Sequence, residues 1–146
     1  MDTEFVNVKI ILVLLMKFRL GNTMSSLPTT MPALRTIAMP ADANPDGDIF
    51  GGWIMARMDL ASGNYAAQVA KGRVVTVAVE AMTFLKPIYI GDDVSCYCNV
   101  INKGNTSITI NVDVWVQRHH SEQVIKVTEG RFTFVAIDEN GSKRSI

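Results

Sequence analysis

The sequence of 146 residues offers little for metal or disulfide chemistry. Its only cysteines are Cys96 and Cys98, two positions apart. On a strand they would share one face with Cα atoms about 6.6 Å apart, which is at the limit for a disulfide. We therefore expect two free thiols in a reducing compartment, the cytoplasm. The only histidines, His119 and His120, are adjacent and lack metal-ligand spacing, so we expect no metal site.

Several familiar catalytic motifs and any strong net charge are also missing. There is no G-x-S-x-G elbow, which disfavours a serine hydrolase, and there is no dinucleotide fingerprint or Walker loop. The 14 basic residues balance 14 acidic ones. Because a nucleic-acid or anionic-membrane partner is usually met by a basic field, neither is expected.

No apolar run is long enough to span a bilayer. The longest near the N-terminus, Ile10–Met16, is far shorter than the roughly 20 residues that a spanning helix needs. Asp2 and Glu4 do not suit a signal peptide. We expect residues 1–30 to be an extension, either disordered or a mis-called start with Met24 or Met31 as initiator; a short membrane-touching arm stays open. Residues 31–146 then form one domain.

The first half of that domain is predicted to hold one strand and one long helix. Leu34–Met39 has the pattern of a short strand, and the breakers in Pro40–Gly47 predict a turn. Gly51–Ala70 predicts a helix, with Lys71 and Gly72 in the usual order for a C-terminus.

Everything after the helix predicts strands. Val74–Phe84 is apolar on both faces, as in a central buried strand. Two further strands show alternating apolar positions on either side of a turn at Lys103–Asn105. These positions are Val94, Cys96, Cys98 and Val100, then Ile108, Ile110, Val112, Val114 and Val116. The last strand changes its apolar face, which predicts a bulge near Gly130. One helix and about five mostly antiparallel strands indicate an α+β domain whose sheet curls around the helix.

A carboxylate on the apolar side of the helix is the main anomaly. The predicted apolar stripe contains Ile54, Met55, Met58, Tyr65, Ala66 and Val69. Asp59 falls beside Met55 and Ala66 and should be at least partly buried. A buried charge is costly unless it is paired or useful. Asp59 is therefore either a structural carboxylate that caps a loop or pairs with an arginine, or a catalytic group.

Two glycines at the helix start allow a second pair of interpretations. Gly51 and Gly52 lie where backbone N–H groups point outward from the positive end of the helix dipole. They could stabilise an oxyanion, or they could only allow close packing of helix and sheet. Downstream, the Lys71–Arg73 step and the Lys103–Ser107 turn are either phosphate contacts or ordinary solvated connections.

At these residues the sequence strongly resembles the YciA-like acyl-CoA thioesterases. The resemblance extends from about Leu34 to Asp138. It is carried by Asp42–Trp53 (DANPDGDIFGGW), Met58–Asp59, Gly72–Thr76 (GRVVT), Phe84–Pro87 (FLKP) and Ile90–Asp92. The combined motif is specific, because an asparagine, a Phe-Gly-Gly and an aspartate stand at fixed spacing.

The resemblance implies a hotdog fold, an acyl-CoA substrate, and no metal or redox cofactor. It also implies homodimers that associate further as trimers of dimers, with Asn44 of one protomer facing Asp59 of the other. Asp59 would act as general base or as nucleophile through an anhydride, and Asn44 would orient the water or the carbonyl. Gly51 and Gly52 would form the oxyanion site. The CoA contacts would be Lys71, Gly72, Arg73, Val74, Val75, Thr76, Thr106 and Ser107.

Two other functions compete with hydrolysis. A hotdog hydratase or dehydratase needs a catalytic histidine, and none occurs before His119. A non-catalytic acyl-CoA-binding module remains the alternative, against which the intact Asn44 and Asp59 argue.

Overall fold

A single long helix lies against one antiparallel sheet in the computed structural model, which describes residues 25–146. The strands are β1 (Leu34–Ile37), β2 (Val74–Phe84), β3 (Asp93–Lys103), β4 (Ser107–Gln117) and β5 (Val124–Ala136). The helix α1 is Gly51–Ala70, and a 3-10 turn, Pro40–Asp42, precedes it. The order in the sheet is β1-β3-β4-β5-β2. The predicted α+β architecture is confirmed; the predictions on residues 1–24 lie outside the described residues.

Helix α1 has the bounds that the sequence predicts, and one face of it is buried against the sheet. That face is formed by Ile54, Met58, Ala61, Ser62, Ala66 and Ala70. The spacing of three and four residues puts these side chains in one stripe. Met55, which the sequence assigned to the apolar stripe, is instead 40% exposed. Small residues in the stripe bring the helix close to the sheet.

Strand β4 supplies the centre of the core. Its predicted alternation is confirmed, because Ile108, Ile110, Val112, Val114 and Val116 are all buried. On β3, Cys96 and Cys98 pair with Val114 and Val112 and are free thiols. Burial raises the pKa of both thiols to about 12, since the apolar core disfavours the thiolate.

Strand β2 is an edge strand, so the prediction of a central strand is wrong. Among the described residues it pairs only with β5. Val75, Val77 and Val79 are 40%, 55% and 43% exposed. A bulge at Val77 places Val75 and Val79 on opposite faces of the strand. Apolar side chains on both faces are typical of strands that are covered on both sides. Residues 25–146 leave these three valines about half exposed.

The bulge in β5 lies three residues before the predicted position. Val127 is the extra residue, because Thr128 pairs with Val114 and Lys126 pairs with Trp115 on β4. Val127 and Thr128 are both buried, which marks the point where the inward-facing side of the strand changes. Gly130 has a different role. A Cβ at this position would lie 3.2 Å from the terminal methyl of Met58 and 3.3 Å from that of Met82. Glycine therefore lets α1 approach the sheet.

The helix ends in a left-handed residue that is not the glycine. Lys71 has φ 52°, and Gly72 follows it outside the positive-φ region. The N–H of Gly72 donates to the carbonyl of Ala67 at 3.1 Å. The sequence placed the end correctly, but the strained backbone falls on a lysine.

A buried ion pair fixes the loop after β2. Arg118 contacts Asp92, whose side chain is 2% exposed, and donates to the carbonyl of Pro87 at 2.9 Å. The Arg118 guanidinium also lies 4.5 Å from the ring centre of Tyr89. This loop lies beside the start of α1.

In the described part of the chain, no helix is long and apolar enough to cross a membrane.

Candidate functional site

Asp59 is half-buried and has one hydrogen-bonded partner. The hydroxyl of Thr76, on β2, donates to Oδ1 of Asp59 at 2.7 Å. The predicted partial burial is confirmed. No arginine or lysine among residues 25–146 forms an ion pair with it. Asp59 thus has no ion-pair partner in this part of the chain, and its Oδ2 accepts no hydrogen bond there.

Asn44 lies in a tight loop that uses the oxygen of its side chain. Oδ1 accepts hydrogen bonds from the N–H groups of Asp46 and Asp48, both at 3.0 Å. The N–H of Asn44 donates to the carbonyl of Asp48 at 2.7 Å, and Gly47 turns the chain with φ 89°. Because its oxygen is engaged twice, the amide can meet a ligand only through its Nδ2 donor.

The first residues of α1 present free backbone donors. The N–H groups of Gly51 and Gly52 have no acceptor among the described residues, and Phe50 gives no side-chain cap. A Cβ at Gly51 would lie 3.5 Å from the Phe84 ring, which is an ordinary van der Waals contact. A Cβ at Gly52 would meet nothing within 4 Å. Close packing within the described residues therefore requires neither glycine.

The Asn44 loop and Asp59 lie at different positions along α1. The bridge between Ala43 and Ile49 closes the Asn44 loop directly before the helix start. Gly52 precedes Asp59 by seven residues, which places their backbones about 10.5 Å apart along the helix at 1.5 Å per residue. Groups that act on one carbonyl must each approach it to about 3 Å. The backbone N–H of Gly52 and the backbone of Asp59 in one chain are separated by more than this distance.

An apolar cleft of about 380 Å³ opens beside the helix start. Its wall includes Ile49, Phe50, Gly51, Ile54, Phe84 and Ile88. Sequence reasoning did not identify this cleft, because its walls come from the helix start and the loop after β2. The nearest signal was the Phe84–Pro87 motif.

The predicted CoA contacts gather at one end of the sheet. Val75 pairs with Val135, and Val135 pairs with Ser107, so these backbones lie in one row across three strands. With about 4.8 Å between neighbouring strands, Ser107 lies roughly 10 Å from Val75. Lys71 and Arg73 are exposed just before β2, and the guanidinium of Arg73 donates to the carbonyl of Glu139 at 3.3 Å.

The remaining predicted contacts divide between this end and the Asp59 half-site. Gly72 and Val74 continue the backbone into β2, and Thr106 precedes β4. Thr76 lies at Asp59. No cluster of three or more metal-ligating side chains occurs in the part of the chain that the structure describes.

Arg144 is the residue at this end that the sequence did not suggest. Its guanidinium donates from Nη2 to the carbonyl of Ala70 at 2.9 Å and from Nε to the carbonyl of Ile137 at 3.1 Å. A Cβ at Gly72 would lie only 2.6 Å from Nη2. Arg144 follows the last strand in a short polar tail, where no periodic pattern marks it.

Known proteins with the same sequence pattern identify the family. A family model described as "Thioesterase superfamily" matches residues 46–122. The acyl-CoA thioester hydrolase YciA of Salmonella typhimurium is 49% identical over 127 residues, which cover 85% of this chain and 96% of that protein. The chain belongs to the YciA-like acyl-CoA thioester hydrolases.

Solved thioesterase structures share the fold. A hexameric thioesterase from Yersinia pestis has a TM-score of 0.78 and 51% identity, covering 82% of this chain and 98% of its own. A hexameric hotdog-fold thioesterase of Campylobacter jejuni has a TM-score of 0.76 and 42% identity, covering 80% and 90%. The predicted hotdog fold is confirmed. The hexameric state of both similar proteins supports a homo-oligomer for this chain.

Structures of a more distant acyl-CoA hydrolase include two single-residue variants. The acyl-CoA hydrolase of Staphylococcus aureus has a TM-score of 0.72 and 28% identity, covering 77% of this chain and 68% of its own. Its structures include one alanine variant of an asparagine and one of an aspartate, fifteen positions apart. Asn44 and Asp59 have the same separation.

Proposed function

We propose that this acyl-CoA thioester hydrolase releases free CoA and a carboxylic acid at a site shared by two protomers, with Asp59 from one and Asn44 from the other. The observation that carries the proposal is the split site. Asp59 and Thr76 form one half, and Asn44 with Gly52 forms a donor-rich half about 10.5 Å along the same helix. A two-fold arrangement of chains can join each half to the other half of its neighbour.

The two halves supply complementary groups for thioester cleavage. A thioester is already activated, so the reaction needs a positioned water or carboxylate and a place for the developing oxyanion. Asp59, whose Oδ2 has no partner among the described residues, removes a proton from water or attacks the carbonyl carbon itself. When Asp59 is the base, water adds to the carbonyl carbon, the C–S bond breaks, and the thiolate of CoA takes the proton that Asp59 removed from water. When Asp59 is the nucleophile, the C–S bond breaks as the mixed anhydride forms. Water then hydrolyses the anhydride, which releases the carboxylic acid, restores the Asp59 carboxylate and supplies the proton for the thiolate.

Asn44 acts in this mechanism as a hydrogen-bond donor. Its Oδ1 is held by the N–H groups of Asp46 and Asp48, so Nδ2 points its protons at the ligand. Together with the N–H of Gly52, it stabilises the oxygen of the thioester carbonyl as negative charge develops there. The Asn44 loop also fixes the side chain before substrate arrives, because the bound oxygen prevents rotation of the amide.

The edge strand β2 supports the dimer. Val75, Val77 and Val79 are exposed on a strand that has one free edge, and Leu60 on α1 is 56% exposed. Pairing β2 with β2 of a second protomer would cover apolar area and satisfy the free backbone groups. Since the similar structures are described as hexameric, the proposed assembly is a trimer of such dimers.

The CoA moiety lies along the start of β2 in this proposal. Lys71 and Arg73 offer cations for its phosphates, and Thr106 and Ser107 offer donors about 10 Å away across the sheet. Val74 and Val75, with Gly72, form the strand beside which the pantetheine runs. The thiols of Cys96, which is buried, and Cys98, which is partly buried, are free, as expected in a reducing compartment, and we assign the protein to the cytoplasm.

Thiol release from a panel of acyl-CoAs of increasing chain length tests the proposal. The wild type should release CoA, and Asp59→Asn should lower kcat at least roughly a hundredfold, because a positioned base contributes about that much. Glu122→Gln is the matched control, since it makes the same chemical change in an exposed hairpin. A near-normal rate for Asp59→Asn would exclude the mechanism. Binding of acyl-CoA without release by the wild type would instead identify a binding module.

A further inference from the structure

The C-terminal tail joins the two segments that are proposed to meet the phosphates of CoA. At one side the guanidinium of Arg144 donates to the carbonyl of Ala70, the last residue of α1. At the other side the N–H of Ile146 donates at 3.0 Å to the carbonyl of Asn105, directly before the Thr106–Ser107 turn. Between them the N–H of Arg144 donates to Ala136 at 3.0 Å. The tail therefore fixes both segments relative to the sheet.

The helix end is a poor place for an anion unless it is neutralised. The last carbonyl groups of a helix carry partial negative charge, equivalent to about half an elementary charge. No basic residue lies in the last turn of α1 itself. Lys71 and Arg73 follow this negative end directly, so a phosphate drawn to them would also meet the helix carbonyls. Arg144 of the C-terminal tail places a full positive charge beside the carbonyl of Ala70 at this end.

Gly72 makes room for that charge. A Cβ at Gly72 would lie 2.6 Å from Nη2 and 3.2 Å from the central carbon of the Arg144 guanidinium. Any side chain at this position would displace the guanidinium from the carbonyl of Ala70. Gly72 does not have a positive φ, so an alanine there is compatible with the backbone itself.

We propose that Arg144 is a positioning residue for the nucleotide half of acyl-CoA. It neutralises the C-terminus of α1 and holds the Lys71–Arg73 segment in place, so that these cations face the phosphates. This inference rests on the proposed function. Arg144 should therefore influence recognition of the nucleotide and not the reaction at the thioester.

Steady-state kinetics with two thioesters test this role. One substrate is an acyl-CoA, and the other is the acyl-pantetheine with the same acyl group and no nucleotide. For Arg144→Ala, KM for acyl-CoA should rise roughly twofold to thirtyfold, the range of a charge at a helix terminus, with kcat unchanged. Both constants for acyl-pantetheine should stay as in the wild type.

Three further variants separate positioning from charge and from folding. Arg144→Lys keeps the charge but not the forked donors, so its KM for acyl-CoA should lie between those of wild type and Arg144→Ala. Gly72→Ala keeps every charge, displaces the guanidinium, and should also raise KM for acyl-CoA. Lys143→Ala removes an exposed neighbouring charge and should change KM less than twofold, within the range of an exposed charge.

The contrary results are distinct. Equal losses on both thioesters by Arg144→Ala would mean a general structural role and would overturn the inference. So would an unchanged KM for acyl-CoA in Gly72→Ala, or an effect of Lys143→Ala as large as that of Arg144→Ala. If Arg144→Ala does not fold by circular dichroism, Arg144→Lys decides the matter, because a KM for acyl-CoA equal to that of the wild type would then overturn the inference. Failure of the wild type to cleave either thioester would instead overturn the proposed function.

Discussion

The hydroxyl of Thr76 donates to Oδ1 of Asp59 at 2.7 Å and so selects one orientation of the carboxylate. The sequence assigned Thr76 to CoA binding, whereas in the structure its hydroxyl is engaged by Asp59. The position of Asp59 on the helix follows from the 3.6-residue period. Its partner comes from a strand seventeen residues later, and only the packing of β2 against α1 brings the two together.

Removal of this hydroxyl should slow the reaction more than it weakens binding. Thr76→Val keeps the shape of the side chain and removes one hydrogen bond to a charged group, a contribution of about 1.5–3 kcal/mol. We expect kcat to fall roughly tenfold or more, since each 1.36 kcal/mol corresponds to a factor of ten. Thr76→Ser keeps the donor and is the control. A Thr76→Val enzyme with wild-type kcat would show that Asp59 does not need this contact.

At the scale of the element, helix α1 has two ends with opposite tasks. At its N-terminus the N–H groups of Gly51 and Gly52 have no acceptor among the described residues. At its C-terminus Lys71 is left-handed, and the guanidinium of Arg144 donates to the carbonyl of Ala70. In the proposed function the helix dipole would favour the developing oxyanion at one end and oppose the phosphates at the other, where Arg144 would offset it.

The left-handed conformation of Lys71 carries a stability cost that glycine would remove. A residue with a Cβ in this region costs roughly 1–2 kcal/mol. Lys71→Gly should therefore raise the free energy of unfolding by about 1 kcal/mol in denaturant titrations, part of the gain being lost to the greater freedom of glycine in the unfolded chain.

The matched variant for this test is Lys71→Ala, which removes the same charge and keeps the Cβ. We expect Lys71→Gly to be more stable than Lys71→Ala, while both weaken acyl-CoA binding alike if Lys71 contacts a phosphate. Equal stabilities of the two variants would mean that the backbone at Lys71 is not strained.

For the molecule as a whole, the exposed edge of β2 and the split site lead to the same requirement. In the proposed site each chain contributes Asp59 to one active site and Asn44 to another, and its apolar edge strand β2 can pair with a second copy. A two-fold axis is the simplest operator that joins both pairs at once, because such an interface is reciprocal.

Mixing two inactive variants tests the shared site directly. Asp59→Ala and Asn44→Ala should each be inactive alone. After joint refolding or co-expression, a mixed dimer has one site with both residues intact and one with neither. Random mixing should restore about a quarter of wild-type activity, since half of the reciprocal dimers are mixed and each has one working site. No recovery in a sample shown by mass spectrometry to contain mixed dimers would place both residues in one protomer's site.

Much of the fold was predictable from local pattern. The bounds of α1 and β2, the alternation of β4 and the turn before Ser107 were all found from the period of apolar residues, since that period is set by helix and strand geometry. Asp59 was conspicuous for the same reason, because a charge on an apolar stripe breaks the period. The motif around Asn44 and Gly51 indicated the family, which the similar proteins confirm.

Only the tertiary structure decided the features that depend on distant segments. The apolar pattern of β2 is the same for a central strand and for an edge strand that awaits a partner, so the sequence could not place it. The bulge at Val127 and the contact of Arg144 with Ala70 follow from pairing and packing across the sheet. Local sequence sets the period and the breaks of each element. Which elements meet, and which donors stay free, is set by how they bury one another.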